Sequence, residues 1–299
     1  MAKRKKSKGF SSWSLLAVGF IFGIVFTFVL FKFYDFGKPL PKQPQRPPVS
    51  NIPPVEDIPQ EPPAEPLIHP TEPRVYPVKK TRVAIVIDDM GTDMKKLREL
   101  VLLGEPVTIA IMPNQRFSSQ TAEEAHTKGL EVIMHLPMEP KDAGEHNPGT
   151  DALLTTMTIN DIKARVEEDL KTVPHASGIN NHMGSKFTEQ DAQMRAVLQV
   201  IKKNNMFFLD SKTSSNSIAG KLAKELGVKN MDRNVFLDNN RDVKYIKGQI
   251  AQAVAIAKKR GHAIAIGHPY PETIEALKES VSALEKDGVE IVRLSDLME

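Results

Sequence analysis

The sequence predicts an α/β domain between residues 81 and 299, in which buried parallel strands alternate with helices. Two observations support this fold class. Short apolar runs rich in Val, Ile and Phe recur along the chain, as expected of strands that are buried on both faces. The segments between these runs are longer and amphipathic, as expected of helices. Such βα units fit either an open doubly wound sheet or a (β/α) barrel, complete or distorted.

The individual elements follow from the apolar runs and from the helix start signals. The predicted strands are 83–87, 107–111, 131–134, 178–181, 206–209, 263–266 and 290–292. The predicted helices are 92–103, 118–128, 158–172, 189–204, 218–226, 242–260 and 272–287. Thr158 and Asp161 resemble a capping box at the start of the third helix. Residues 141–157 predict a long loop, and residues 228–238 give no clear assignment.

The N-terminal part of the chain predicts a membrane anchor. A basic tail at 1–10 precedes an apolar segment at 11–34, of which residues 13–31 carry no charge. Nineteen residues at helical rise span about 28 Å, close to the thickness of a bilayer core. The basic tail predicts a cytoplasmic N-terminus. We expect an uncleaved, single-pass anchor in the cytoplasmic membrane; the alternative is a cleaved signal peptide, which has a shorter apolar core.

The segment at 35–80 predicts a spacer between this anchor and the folded domain. Fourteen of the 22 prolines of the chain lie between residues 37 and 80. Proline excludes regular helix and central strand, so a semi-extended chain of polyproline character is expected. At about 3 Å per residue, the spacer could reach on the order of 100 Å. The domain at 81–299 would then lie outside the cytoplasmic membrane, in the periplasm or at the cell surface.

Charge and cysteine content exclude several classes of function. The net charge is +3, and five basic residues lie within the first eight positions, so the rest of the chain is close to neutral. A nucleic-acid-binding surface is therefore not expected. The chain has no cysteine, which excludes thiolate metal ligands, cysteine nucleophiles and disulfides.

Polar residues follow several of the predicted strands. Ligands bind at the carboxyl ends of the strands in parallel α/β folds, so these residues are the candidates for a functional site. The candidates are Asp88, Asp89, His135, Asn180, Asn181, His182, Asp210 and His268. Two nearby acids have simpler interpretations, since Asp238 fits a loop and Asp242 fits a helix start. Lys212 is expected to form an ion pair with Asp210.

Asp88 and Asp89 are the first candidates for chemistry. Adjacent carboxylates repel each other and stay ionised only beside a cation or hydrogen-bond donors. Successive side chains of a strand point to opposite faces, so one carboxylate could bind a metal while the other faces a substrate. The alternative is that both belong to a solvated turn or cap the next helix.

Three histidines that share a sheet end with this carboxylate pair predict a metal site. Imidazole and carboxylate ligands suit zinc or a similar divalent ion, and a catalytic site needs three protein ligands and an open position for water. Asp89, His135 and His182 could supply those ligands. Asp88 could then deprotonate a water molecule, and His268 could protonate a leaving group. Asn180 and Asn181 could hold substrate or orient the ligands.

Four motifs in this order resemble the divergent branch of the NodB-type polysaccharide deacetylase superfamily, over residues 81–299. The motifs are Ile87-Asp88-Asp89-Met90-Gly91, His135-Leu136-Pro137-Met138-Glu139, Asn180-Asn181-His182-Met183-Gly184-Ser185 and Gly267-His268-Pro269. An Asp after Phe207-Phe208-Leu209 adds to the resemblance. The resemblance implies a distorted (β/α) barrel of about seven strands. It also implies a divalent metal, usually zinc, and hydrolysis of the N- or O-acetyl group of a glycan.

The resemblance also implies roles for individual residues. Asp88 matches the catalytic base of the family, Asp89 its aspartate ligand and His268 its late acid histidine. His135 matches the first histidine of a His-x-x-x-His pair, but Glu139 stands where the second would be. An arginine-bearing motif of the family is replaced by the segment 178–182. The third ligand is therefore either His182 or Glu139, and His182 is preferred because it comes from another strand end.

Three functions follow from these observations. The first is a membrane-tethered, metal-dependent deacetylase that acts on a cell-envelope glycan such as peptidoglycan. The second is a non-catalytic envelope module that binds a glycan or a protein, with a structural or vestigial metal site. The third keeps the metal but hydrolyses a phosphoester or an amide, because the same activated water serves all three reactions.

Overall fold

The computed structural model describes residues 81–298. The strands in this part of the chain are β1 (Thr81–Met90), β2 (Thr108–Ile111), β3 (Glu131–Met138), β4 (Gly178–Met183), β5 (Phe207–Asp210), β6 (Asn230–Asp232), β7 (Val235–Phe236), β8 (His262–Gly267) and β9 (Val289–Val292). The helices are α1 (Met94–Val101), α2 (Ser118–Thr127), α3 (Ile159–Lys171), α4 (Asp191–Lys203), α5 (Ala219–Leu226), α6 (Val243–Arg260) and α7 (Pro271–Lys286). The basic tail at 1–10, the anchor at 11–34 and the linker at 35–80 lie outside the described residues.

The strands form one parallel sheet in the order β6-β5-β4-β3-β2-β1-β8-β7. The strand β9 pairs with the first half of β1, along Thr81 to Ala84, and β2 pairs with its second half. The two edge strands, β6 and β7, are joined through only Arg233 and Asn234. The sheet therefore curls into an incompletely closed barrel, which confirms the distorted-barrel expectation in its coarser form.

The number of strands differs from the prediction of about seven. The two additional strands, β6 and β7, have three residues and two residues and lie in the segment 228–238 that gave no clear assignment. Strands this short do not show a periodic apolar pattern. The other seven strands and all seven helices lie where the sequence predicts them, with ends that differ by a few residues.

The central strand β1 shows how the pleat builds two cores. Val83, Ile85 and Ile87 face outward and pack with apolar residues of the surrounding helices. Ala84 and Val86 face the other way and belong to an inner core made mainly of strand residues. Both faces of the strand are buried, as predicted. The inner core consists of Ala84, Val86, Ala110, Ile133, Phe207, Leu209, Ile264, Ile266, Val292, Leu294 and Leu297.

Side-chain caps fix the starts of three helices. Asp93 accepts a hydrogen bond from the backbone N–H of Lys95 at the start of α1. Thr158 Oγ1 accepts from the N–H of Asp161, so the predicted cap of α3 is confirmed. Asp242 accepts from Tyr245 N at 2.8 Å and begins α6, as expected. Within residues 81–298, none of these helices combines the length and the apolar character that crossing a bilayer requires.

Candidate metal centre and active site

Several of the candidate side chains lie on inward-facing positions of their strands. Ile133 and Ile266 belong to the inner core, and His135 and His268 follow them by two residues. Because a strand repeats every two residues, both histidines point into the barrel at the carboxyl end of the sheet. Asp88 follows Val86 in the same way. The two-residue repeat of three strands therefore brings Asp88, His135 and His268 together at the carboxyl end of the sheet.

A β-bulge turns both Asp88 and Asp89 towards the same site. The register between β1 and β2 shifts between Ile87 and Met90, and Asp89 has a left-handed φ of 58°. Asp88 Oδ2 lies 3.6 Å and Asp89 Oδ1 lies 3.3 Å from His135 Nε2. The expectation that the two carboxylates diverge was wrong, because the bulge breaks the two-residue repeat. A left-handed backbone at a non-glycine residue is a strained feature that clusters at functional sites.

Asp89, His135 and His182 form the cluster with metal-ligand geometry in the described part of the chain. His182 Nδ1 lies 3.0 Å from Asp89 Oδ1 and 3.1 Å from His135 Nε2. Ligand atoms bound to one small divalent ion at about 2.0–2.2 Å are separated by about 3.0–3.5 Å. Asp89 Oδ1 is also buried and accepts no well-formed hydrogen bond. The residues present therefore fit a divalent ion.

Asn180 orients both a candidate ligand and the candidate base. Its Oδ1 lies 2.8 Å from His135 Nδ1 and accepts from that nitrogen, which turns Nε2 of the ring into the cluster. Its Nδ2 donates to Asp88 Oδ1 at 2.9 Å and approaches Ser211 Oγ at 3.3 Å. The Asn180 side chain thus fixes the positions of both His135 and Asp88.

The charges of these groups are strongly coupled. Burial is the largest influence on Asp88 and raises the pKa of its carboxyl, although the nearby histidines and the Asn180 amide act in the opposite direction. Burial also opposes ionisation of Asp89, but its contacts with His135 and His182 outweigh burial and hold its pKa well below the usual range. Burial disfavours the charged form of His135, yet the two carboxylates raise the pKa of this imidazole to about 9.

His268 is held by a carboxylate that the sequence analysis missed. Asp238 Oδ1 lies 2.9 Å from His268 Nδ1, and Asp238 Oδ2 accepts from the His268 backbone N–H and from Thr273 Oγ1. His268 Nε2 points towards Asp89 Oδ2, at 3.8 Å. Burial lowers the pKa of His268, but the bond to Asp238 outweighs it, and the net shift is upward. Asp238 lies in a loop, as expected, two residues after the end of β7; what the sequence did not indicate is its contact with His268.

The sequence of this domain matches that of a known protein family. Residues 85–298 match the sequence profile of the divergent polysaccharide deacetylases. The chain belongs to this family. It is 36% identical over 222 residues to the uncharacterized protein YibQ of Escherichia coli K12, covering 74% of this chain and 69% of YibQ. An uncharacterized protein of Haemophilus influenzae is 34% identical over 218 residues, covering 73% of this chain and 77% of that protein.

A solved structure supports the same fold. An uncharacterized protein from Agrobacterium tumefaciens C58 superposes with a TM-score of 0.69 at 25% sequence identity, covering 74% of this chain and 91% of that chain. The family resemblance expected from the four sequence motifs is therefore confirmed.

In this member of the deacetylase family, Glu139 lies outside the ligand triangle. Its carboxylate accepts from Thr155 N at 2.6 Å and pairs with Lys186 Nζ at 2.6 Å. These two contacts hold the Glu139 carboxylate away from the triangle. Of the two alternatives for the third ligand, the structure brings His182 to Asp89 and His135.

Asn181 and Asp210 organise the loops beside the site. Asn181 Oδ1 accepts from Ser211 N, and its Nδ2 donates to the Met183 carbonyl. Asp210 accepts from Lys212 N at 2.8 Å and from Ser217 Oγ at 2.6 Å. Lys212 Nζ lies 3.2 Å from Asp210, so the predicted ion pair is confirmed. Both residues fall on the outward phase of their strands and do not contact the ligand triangle.

Proposed function

We propose that this protein is a metal-dependent hydrolase that removes acetyl groups from a cell-envelope glycan such as peptidoglycan. The observation that carries the proposal is the ligand triangle, with Asp88 on one side and His268 on the other. Zinc is the ion that the carboxylate and two imidazoles suit best. When bound, such an ion supplies Lewis acidity, which lowers the pKa of water and polarises a carbonyl.

Asp88 has the surroundings of a general base. It is buried, and burial raises the pKa of its carboxyl towards the range in which it accepts a proton readily. Asn180 Nδ2 holds Oδ1 of Asp88, which leaves Oδ2 facing the cluster. In the reaction, Asp88 takes a proton from the water molecule whose oxygen attacks the acetyl carbonyl carbon.

His268 has the surroundings of a general acid. Asp238 binds Nδ1 and favours the protonated ring, while Nε2 faces the triangle. His268 donates a proton to the leaving nitrogen or oxygen as its bond to the acetyl carbon breaks. The products are acetate and a free amino or hydroxyl group on the sugar, and the proton taken by Asp88 balances the one that His268 gives.

The N-terminal segments give the proposed location. The segment at 11–34 anchors the chain in the cytoplasmic membrane, and the linker at 35–80 carries the catalytic domain outside it, towards the glycan. The charge asymmetry of the first ten residues and the absence of charge over residues 13–31 support this arrangement.

The proposal is tested by acetate release from acetylated peptidoglycan oligosaccharides, using the full chain. Asp88→Asn is expected to abolish turnover while keeping the metal. Asp169→Asn is the matched control, because Asp169 is also a buried carboxylate but lies on α3, away from the site. Full activity of Asp88→Asn would remove this residue from the role of base.

A second function is favoured by the departures from the family pattern. Glu139, which the resemblance aligns with a ligand, pairs with Lys186, and the segment 178–182 stands where the resemblance implies an arginine-bearing motif. A domain that binds glycan without cleaving it would also explain these changes. Wild-type protein that binds metal and acetylated glycan but releases no acetate would establish this second function.

A further inference from the structure

Two arginines beside His268 have no role in the proposed chemistry. Arg233 Cζ lies 4.2 Å from the centroid of the Phe236 ring, and Arg241 Cζ lies 3.6 Å from that of Tyr270. Both aromatic rings are neighbours of the His268 ring, with centroid distances of 5.9 Å for Phe236 and 5.4 Å for Tyr270. We call Arg233, Phe236, Arg241 and Tyr270 the arginine rim.

The two arginines differ in their surroundings: within residues 81–298 Arg241 forms no ion pair with a carboxylate, whereas Arg233 lies near Asp210 and Asp88. Arg233 donates from Nε to the Ser211 carbonyl and from Nη2 to the Lys212 carbonyl, which fixes its guanidinium, and the nearby carboxylates of Asp210 and Asp88 favour its charge. Arg241 is exposed, and its guanidinium lies over the Tyr270 ring. The rim therefore presents one exposed positive charge, that of Arg241, to a ligand.

Two lysines in the loops on the other side of the site, unlike Arg241, are paired with carboxylates. Lys186 pairs with Glu139 at 2.6 Å, and Lys141 pairs with Glu189 at 2.7 Å. These ion pairs balance the charges of both lysines. The positive charge near the site is thus concentrated beside His268, where a leaving group would sit.

We propose that the arginine rim binds a carboxylate on the glycan, next to the acetyl group that is removed. This inference rests on the proposed function and narrows its substrate class to acetylated glycans that are acidic. Arg241 is the direct contact. The Tyr270 ring holds the Arg241 guanidinium beside the His268 ring.

The geometry suits this role. The planar fork of a guanidinium pairs with both oxygens of a carboxylate, which a lysine cannot do. Stacking on an aromatic ring holds the fork in place before binding, so less entropy is lost when the ligand arrives. Arg241 Cζ lies 3.6 Å from the Tyr270 ring centroid, which lies 5.4 Å from the His268 ring centroid, so the guanidinium is within about 9 Å of the His268 ring. One oligosaccharide can contact both.

Binding rather than turnover tests the inference. Isothermal titration calorimetry on the full chain carrying Asp88→Asn would compare two ligands: the N-acetylglucosamine–N-acetylmuramic acid disaccharide, and the same disaccharide with its carboxyl group reduced to an alcohol. Each is measured with and without Arg241→Gln. Arg260→Gln is the matched control, since Arg260 is exposed and lies at the far end of α6, a helix about 27 Å long that begins two residues after Arg241.

The acidic disaccharide is expected to bind about tenfold more tightly than the reduced one, the effect of one charge-assisted contact. Arg241→Gln is expected to remove this difference, Arg241→Lys to restore part of it, and Arg260→Gln to leave it unchanged. Equal binding of the two disaccharides would overturn the inference while the proposed function stands. Equal weakening of both by Arg241→Gln would also overturn it, because that indicates a packing role. Failure of both disaccharides to bind would overturn the inference and the proposed function together.

Discussion

Replacing Asp238 by Asn should slow turnover without releasing the metal. The Asp238 carboxylate accepts the Nδ1–H of His268 at 2.9 Å and is almost fully buried, so it stabilises the protonated ring that acts as the acid. An amide keeps the shape of the side chain but loses the charge. A hydrogen bond to a charged group contributes about 1.5–3 kcal/mol, so kcat should fall about 10- to 150-fold.

The assay is acetate release at several substrate concentrations, together with the metal content of the same preparation. Thr273→Val is the matched control, because it removes one of the neutral bonds to Asp238 and leaves the carboxylate facing His268. We expect kcat of the control to stay within a few-fold of wild type. Unchanged kcat in Asp238→Asn would refute the acid role of His268, and so would a loss explained wholly by lost metal.

Three further predictions concern stability and the ligand set. Burial raises the pKa of Asp169 from 3.8 to about 6, so its protonated form stabilises the fold below about pH 4, and this stability is lost as the pH rises through 6. Asp169→Asn should therefore be more stable than wild type by about 2 kcal/mol at pH 8 and equal to it near pH 3.5, as measured by urea unfolding; equal curves at pH 8 would contradict this. Gly178→Ala would place a methyl group 2.2 Å from the Phe207 ring and should lower the free energy of unfolding by about 1–3 kcal/mol; no loss would show that β4 and β5 move apart easily. His182→Ala should lose bound metal and Glu139→Gln should retain it in elemental analysis, and the opposite result would assign the third ligand to Glu139.

Much of the fold could be predicted because its signals are local. The apolar run at 83–87 and the cap at Asp242 each identify an element from a few neighbouring residues. The strands β6 and β7 could not be predicted in this way, since they have three residues and two residues and are defined by their pairing with β5 and β8. Their existence depends on the barrel that forms around them.

The candidate site also has some features that local sequence predicts and others that only the folded chain shows. Asp88, Asp89, His135, His182 and His268 could be named because each ends an apolar run, and parallel strands bring such ends together. The position of Asp89 beside the two histidine ligands depends on the β-bulge between Ile87 and Met90, which the pattern of apolar and polar residues does not indicate.

Asp238 was missed for a related reason. It lies in the loop that follows a strand of only two residues, so nothing in the sequence distinguished it from a solvated loop acid. The buried pairing with His268 is a contact across 30 positions of the chain, and only the folded structure shows it.

The metal content of the full chain tests the central claim most directly. Wild-type protein, incubated with zinc and then desalted, would be measured by elemental analysis beside the Asp89→Ala, His135→Ala double variant. We predict about one equivalent of zinc in the wild type and none in the variant, with far-ultraviolet circular dichroism showing that both are folded. Folded wild-type protein that retains no metal would contradict the proposed hydrolase.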